Sequence, residues 1–284
     1  MDFSYELSTF LLNSYLPLAL AFVIGALFGS FFHLCSERIA IGVSIVSPRS
    51  YCQACHTPIA WYDNIPLVSY LILRAKCRTC RTKIAISHFM VELFCGFLAT
   101  LLFYRFRHSS STLSWIVLHA SVYFLFTGVL LVLSLIDWKF FILPDKITYP
   151  GVVLFFIAGQ LLKDHSLVDC LIGMGVGYSL LRLISDGYYF LFKKEGLGRG
   201  DAKLLMLIGG LLGWQSLPLV LFGASVIAIL YGVILHQRNT QKDTSFSSTK
   251  VPLGPFLSLG AVMVVLVFAE KNPLEQLALW LLPS

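Results

Sequence analysis

Two aspartates stand at the ends of apolar runs in this 284-residue chain. Asp137 closes the run LSLID, and Asp201 opens the run DAKLLMLIGG after two closely spaced glycines, Gly198 and Gly200. A carboxyl group beside hydrocarbon loses hydration and resists ionising. Two such groups brought together can share one proton and so provide an acid and a base in one site, as in aspartic proteases. The two positions therefore indicate a membrane-embedded acid/base pair.

Four cysteines form a second group whose spacing suggests chemistry. Cys52 and Cys55 make one C-x-x-C pair, Cys77 and Cys80 make another, and 21 residues separate the two pairs. This spacing is typical of a four-thiolate zinc site, in which each pair presents two sulfurs from one tight turn. Two disulfides are the alternative use of the same thiols, and the redox state of the compartment decides between them.

The elements that position these residues are membrane spans. Hydrophobic residues make up 57% of the chain and charged residues 13%, and the mean hydropathy is +0.79, which is more apolar surface than a soluble domain can bury. The first apolar run follows acidic residues, so we expect a retained span rather than a cleaved signal peptide. We predict an all-α polytopic membrane protein with about eight transmembrane helices. They are Leu16–Leu34, Phe89–Tyr104, Leu113–Ile136, Ile147–Leu162, Leu167–Phe192, Ala202–Trp214, Leu217–Leu235 and Val251–Ala269.

Basic residues predict the orientation. With the N-terminus outside, sixteen Lys and Arg residues fall on the inner side and four on the outer side, as the positive-inside rule requires. The net charge of +6 then reflects topology and attraction to anionic lipid, and no nucleic-acid-binding motif accompanies it. The cysteine pairs fall in the reducing cytoplasm, which favours zinc over disulfides. Asp137 and Asp201 both fall at cytoplasmic ends of spans, at one membrane depth.

The chain is predicted to have three parts. Residues 1–35 form the first transmembrane helix, residues 36–88 form a small cytoplasmic zinc-knuckle domain (the four-cysteine domain), and residues 89–284 form the transmembrane domain with both aspartates. Structural zinc would stabilise the four-cysteine domain, a segment of about 50 residues that is expected to have little core of its own. Lys203 is assigned with Gly198 and Gly200 to the loop beside Asp201, where the glycines let the backbone turn sharply and approach a substrate.

Six ordered segments resemble those of the type IV prepilin peptidases, also called prepilin leader peptidases. They are GALFGSFFHLCSERI, YCQACHTPI, NIPLVSYLILRAKCRTC, LIDWKFFILPD, GLGRGDAKLLMLIGGLLGW and VPLGPFLSLGA. The resemblance covers nearly the whole chain and implies a multi-pass aspartic endopeptidase of the bacterial inner membrane, with Asp137 and Asp201 as its catalytic pair. Such enzymes remove the short basic leader of prepilins or pseudopilins, and many then methylate the new N-terminus using S-adenosylmethionine.

The chain departs from the family pattern in and near the four-cysteine domain. His33 replaces the usual Asn of GSFLN, Ala75 replaces a Gly two residues before the third cysteine, and His88-Phe89 replaces a Tyr-Pro pair, whereas Glu92 is kept. This region is associated with methyl transfer, so the resemblance implies proteolysis more firmly than methylation. No nucleotide-binding pattern assigns S-adenosylmethionine to particular residues.

Two other classes of function compete with the peptidase. The chain could be a proton-coupled transporter whose aspartates relay protons, or a non-catalytic scaffold that docks a partner through the four-cysteine domain. Against the transporter, both acids lie at one face of the membrane rather than at its midplane, and the sequence shows no inverted pair of broken helices.

Overall fold

The regular secondary structure of the described residues is almost entirely helical. The computed structural model describes residues 14–108, 112–193, 198–239 and 252–268, and these ranges contain no β-strand beyond two isolated bridges. Short 3-10 helices cover Trp61–Asn64 and Trp214–Ser216. The α-helices are α1 Leu16–Ala40, α2 Val68–Ile72, α3 Ile86–Arg107, α4 Leu113–Phe140, α5 Asp145–Leu162, α6 Leu167–Phe192, α7 Arg199–Leu212, α8 Leu217–Asn239 and α9 Gly254–Phe268.

Each of the eight predicted spans overlaps a helix, so the all-α prediction is confirmed for the described residues; Val251 and Ala269, the ends of the last predicted span, lie outside them. Among the described residues, five apolar stretches have the length and hydropathy to cross a membrane: Leu16–Ala40, Ile86–Arg107, Leu113–Phe140, Leu167–Phe192 and Trp214–Leu235. Helices α5, α7 and α9 are shorter, at 18, 14 and 15 residues. At 1.5 Å per residue, α7 is about 21 Å long against a hydrocarbon core of about 30 Å. The number of eight crossings therefore stays a prediction.

The chain divides into two compact units, Met1–Gly128 and Val129–Ser284. In the first unit, α1 packs against α3 through two glycines one turn apart. A Cβ on Gly29 would come within 2.9 Å of the Cys95 Cβ and the Glu92 Cα, and a Cβ on Gly25 within 2.5 Å of the Cys95 carbonyl oxygen. Small residues at this spacing let two helix backbones approach closely in a membrane. The domain boundaries predicted from the sequence, between residues 35 and 36 and between residues 88 and 89, stay predictions.

The segment between α1 and α3 is held by polar contacts rather than by a core. Arg78 makes two hydrogen bonds with the Asp63 carboxylate, at 2.7 and 2.6 Å, which join the second cysteine pair to the 3-10 helix. This bidentate contact lowers the pKa of Asp63. The buried Glu92 carboxylate accepts a hydrogen bond from the Leu67 N–H at 2.8 Å, where Leu67 has a φ of 62°. Glu92 therefore fixes this segment to α3 at a strained residue.

In the second unit, α7 packs against α5, α6 and α9. The crossing with α6 is a backbone contact, because a Cβ on Gly209 would overlap the carbonyl group of Gly173 and a Cβ on Gly177 would lie 2.7 Å from the Leu205 carbonyl oxygen. Ten of the fourteen residues of α7 are buried, Asp201 among them. This close crossing fixes the position of the first turn of α7.

On α6, Arg182 and Asp186 form an i,i+4 ion pair of 3.0 Å.

We expect Gly209→Ala to lower the thermal stability of the detergent-solubilised protein. The added methyl overlaps the α6 backbone, and overpacking of this kind costs about 1–3 kcal/mol. Gly187→Ala is the matched control, since a Cβ there meets nothing within 4 Å and alanine is the better helix former. Equal melting temperatures for the two variants would contradict the close α6–α7 crossing.

Candidate functional site

The two aspartates lie at helix ends inside the second unit. Asp137 is in the last turn of α4 and Asp201 in the first turn of α7. Their exposed fractions are 6% and 7%, so both carboxyls are almost completely removed from solvent. They are also close enough for the charge of one to act on the other. Burial of an acidic pair is costly, and it is typical of sites in which the acids perform chemistry.

The carboxylate of Asp137 is held by the beginning of α9. The Gly254 N–H donates a hydrogen bond of 3.0 Å to Asp137 Oδ2, although the residues are 117 apart in the chain. Gly254 is the first residue of α9, so this N–H has no acceptor within its own helix. The N-terminus of a helix also attracts negative charge. The contact thus satisfies both a buried donor and a buried carboxylate.

Gly254 contacts the site, although the sequence alone assigns it no partner. Together with Pro252 and Pro255 it predicts a kink at the start of the last predicted span, with a loop lining the site as the alternative. In the structure, a Cβ at Gly254 would lie 2.7 Å from Asp137 Oδ2. Glycine is required here because the backbone approaches the carboxylate closely. No local pattern shows this, since the partner is on another helix.

The two glycines before Asp201 provide space rather than an unusual backbone conformation. Gly198 has φ −66° and ψ 135°, which any residue can adopt, and its carbonyl accepts the Asp201 N–H at 3.1 Å. A Cβ on Gly198 would lie 3.0 Å from Asp201 Oδ2, and one on Gly200 would lie 2.8 Å from the Leu143 Cβ. The backbone at Gly198 therefore needs no glycine-specific conformation, whereas a side chain at either position would crowd Asp201 or Leu143. The assignment of the two glycines to a substrate-binding loop stays a prediction.

The Lys203 side chain contacts an acid other than Asp201, its near neighbour in the sequence. Its ammonium group pairs with Asp145 at 2.5 Å and lies 5.0 Å from the centre of the Tyr149 ring. Asp145 begins α5 and Lys203 is the fifth residue of α7, so the pair joins the N-terminal parts of the two helices. The role of Lys203 in the loop beside Asp201 stays a prediction, and the structure shows it as a link between helices.

The four cysteines of the four-cysteine domain come together. All four Sγ atoms lie within 4.8 Å of one another, and Cys52 Sγ and Cys80 Sγ are 3.7 Å apart. A tetrahedral site with Zn–S bonds of about 2.3 Å has sulfurs about 3.8 Å apart, so the donor set and spacing fit zinc. All four cysteines are free thiols, as the zinc alternative requires.

The two cysteine pairs are built alike. Cys52 N–H bonds the Thr57 carbonyl at 3.0 Å, and Cys77 N–H bonds the Thr82 carbonyl at 2.8 Å. In each turn the threonine hydroxyl also lies near the second cysteine sulfur, at 3.3 Å from Cys55 and 3.2 Å from Cys80. The hydrogen bond from Thr82 lowers the pKa of Cys80 to about 6, and Thr57 lowers the pKa of Cys55 in the same way. The second cysteine of each turn is therefore favoured as the thiolate, the form that binds metal.

Comparison with known proteins identifies the family. Residues 124–233 match the family model described as "Type IV leader peptidase family", and residues 23–106 match "Bacterial Peptidase A24 N-terminal domain". A prepilin leader peptidase/N-methyltransferase of Pseudomonas putida is 34% identical over 88% of this chain and 90% of its own length. The chain belongs to the type IV leader peptidase family.

Two further relatives carry the same name. The prepilin leader peptidase/N-methyltransferase of Pseudomonas aeruginosa is 36% identical over 78% of this chain and 73% of its own length. That of Myxococcus xanthus is 34% identical over 75% of this chain and 62% of its own length. No solved structure matches the chain. The family predicted from the six sequence segments is thus confirmed.

We expect Cys77→Ser to remove one equivalent of zinc from the purified, reduced protein. A structural zinc ion contributes about 10–16 kcal/mol of binding free energy at neutral pH, so its loss should open the four-cysteine domain to limited proteolysis. Cys170→Ala is the matched control, because Cys170 is a buried thiol on α6 in the other unit. Equal zinc content in wild type and Cys77→Ser, measured by elemental analysis, would contradict the zinc site.

Proposed function

We propose that this protein is a membrane-embedded aspartic endopeptidase that cleaves the leader peptide of type IV prepilins or type II secretion pseudopilins, with Asp137 and Asp201 as its catalytic pair. The observation that carries the proposal is the burial of two interacting carboxyls at adjoining helix ends. Membership of the type IV leader peptidase family and the names of its relatives support the substrate class.

The contacts of the two acids suggest their separate roles. The N-terminus of α9 favours a negative charge on Asp137, so Asp137 is the carboxylate that takes a proton from water. The water oxygen then adds to the scissile carbonyl carbon while Asp201 gives its proton to the carbonyl oxygen. Breakage of the C–N bond transfers the Asp137 proton to the leaving amine, and a hydroxyl of the intermediate returns a proton to Asp201. No metal ion or covalent intermediate is needed.

The predicted orientation would bring both aspartates to the membrane depth at which the substrate passes from its polar leader to its apolar helix. With the N-terminus outside, the Asp137 end of α4 and the Asp201 end of α7 face the cytoplasm in the bacterial inner membrane. A prepilin has a basic leader in the cytoplasm and an apolar helix in the bilayer, so its scissile bond lies at this interface. The basic residues in the loops on the same side also attract anionic lipid headgroups.

The protein is also proposed to N-methylate the new N-terminus with S-adenosylmethionine, the second activity in the names of its relatives. The Ala75 departure is compatible with this activity. Ala75 has a φ of 57°, the left-handed conformation that glycine adopts with least strain. Its N–H still bonds the Tyr70 carbonyl at 2.9 Å, so alanine keeps the backbone path at a cost of about 1–2 kcal/mol. The residues that bind S-adenosylmethionine are not assigned.

Replacement of either aspartate should abolish cleavage. We expect Asp137→Asn and Asp201→Asn each to lower the cleavage rate of a co-expressed prepilin by about 10³-fold or more, because neither carboxyl can act alone. Mass spectrometry of the pilin N-terminus reports cutting and methylation together. The matched control is Asp186→Asn, which removes a half-exposed acid paired with Arg182 on α6. Cleavage retained by both active-site variants would refute the peptidase and leave a transporter or scaffold.

Gly254→Ala should slow cleavage without unfolding the protein. The added methyl would displace the Asp137 carboxylate from the α9 N-terminus, and the loss of a hydrogen bond to a charged group costs about 1.5–3 kcal/mol, or roughly 10- to 100-fold in rate. Gly175→Ala on α6 is the control, since a Cβ there meets nothing within 4 Å. A Gly254→Ala enzyme as fast as the control would show that this contact has no catalytic role.

A further inference from the structure

A second cluster of metal-binding side chains lies in the first unit, apart from the four cysteines. His33 and Glu37 are four residues apart on α1, and His88 is in the first turn of α3. One potential ligand atom from each of the three residues lies within 4.8 Å of the other two. Because an i,i+4 pair lies on one face of a helix, α1 presents two donors together to the single donor of α3.

The surroundings of His33 resemble those of a metal-binding histidine. Its side chain is 2% exposed, and its Nε2 lies 3.2 Å from the Ser87 hydroxyl. Metal-bound imidazoles commonly bind the ion through one ring nitrogen while the other makes a hydrogen bond that fixes the ring. The rings of His33 and His88 have centroids only 3.9 Å apart, so the packing of the two helices brings both imidazoles together.

The donor set restricts the kind of ion. Two imidazole nitrogens and one carboxylate oxygen suit first-row transition metals such as Zn²⁺, Fe²⁺ or Co²⁺, whereas Mg²⁺ and Ca²⁺ prefer oxygen donors. Bonds of about 2.0–2.2 Å place tetrahedral donors about 3.3–3.6 Å apart, so side-chain rotations that bring the three atoms closer by up to about 1.5 Å complete the site. Three protein donors leave at least one position of a four-coordinate ion for water or another outside ligand.

We propose that His33, Glu37 and His88 bind a first-row divalent transition metal, as a second metal site that shares no ligand with the four cysteines. The ion joins the inner end of α1 to the first turn of α3, the two helix ends from which the intervening segment with the four cysteines departs. The site does not depend on the peptidase proposal, because none of its residues lies in the unit that holds Asp137 and Asp201.

The test is cobalt binding to full-length protein whose four cysteines already hold zinc. Added Co²⁺ should bind at one equivalent, with no sulfur-to-cobalt charge-transfer absorption, and X-ray absorption fine structure should show only nitrogen and oxygen donors with imidazole scattering. His33→Ala and Glu37→Gln should each weaken Co²⁺ binding by about 100-fold or more while the cysteine-bound zinc is kept. His108→Ala, at the exposed opposite end of α3, is the matched control.

Three results would overturn the proposal: no cobalt bound by the zinc-loaded wild type, cobalt bound through sulfur, or equal binding by Glu37→Gln and the control. Glu37→Gln keeps the size of a partly exposed side chain, so it tests the site even if His33→Ala does not fold. The fine-structure measurement on wild type needs no variant. Peptidase activity is not the readout, so failure here leaves the proposed function untouched.

Discussion

A pair of carboxyls that leaves water for a protein interior must be given hydrogen-bond donors and must not carry two full charges. Asp137 and Asp201 are both more than nine-tenths buried, and each is at the end of a helix rather than in its middle. Helix ends are where backbone groups lack partners within the helix, so they can serve a buried acid without disturbing the hydrogen bonds of the helix interior. The first turn of α9 provides such a donor to Asp137.

Placing a donor and an acid this close requires helices that approach without side chains between them. The contact of α9 with Asp137 depends on the missing side chain of Gly254. The position of α7 depends on the backbone contact between Gly173 and Gly209, and the Lys203–Asp145 pair joins the N-terminal parts of α7 and α5. Glycine contacts and one ion pair therefore determine the geometry of the acids, because hydrocarbon packing alone gives no precise helix register in lipid.

Local patterns in the sequence were enough to predict where the helices lie and which motif residues come together. Runs of apolar residues located the helices within a few residues, and the C-x-x-C spacing indicated the sulfur cluster, since both signals lie within short segments. Contacts between segments far apart in the chain could not be predicted from local patterns. The Gly254 N–H to Asp137 bond joins two residues 117 apart, and the approach of His88 to His33 depends on the packing of α3 on α1. The pairing of Lys203 with Asp145, on another helix, was likewise not visible in the sequence.

The central claim is that Asp137 and Asp201 act as one unit, and a double-variant cycle tests it most directly. Prepilin cleavage rates would be measured for wild type, Asp137→Asn, Asp201→Asn and the double variant in the same membrane preparation. If the two carboxyls handle protons in one site, the double variant loses no more activity than either single variant, because removal of one acid already disables the other. If the two losses instead multiply, the acids contribute independently and the shared site described here is wrong.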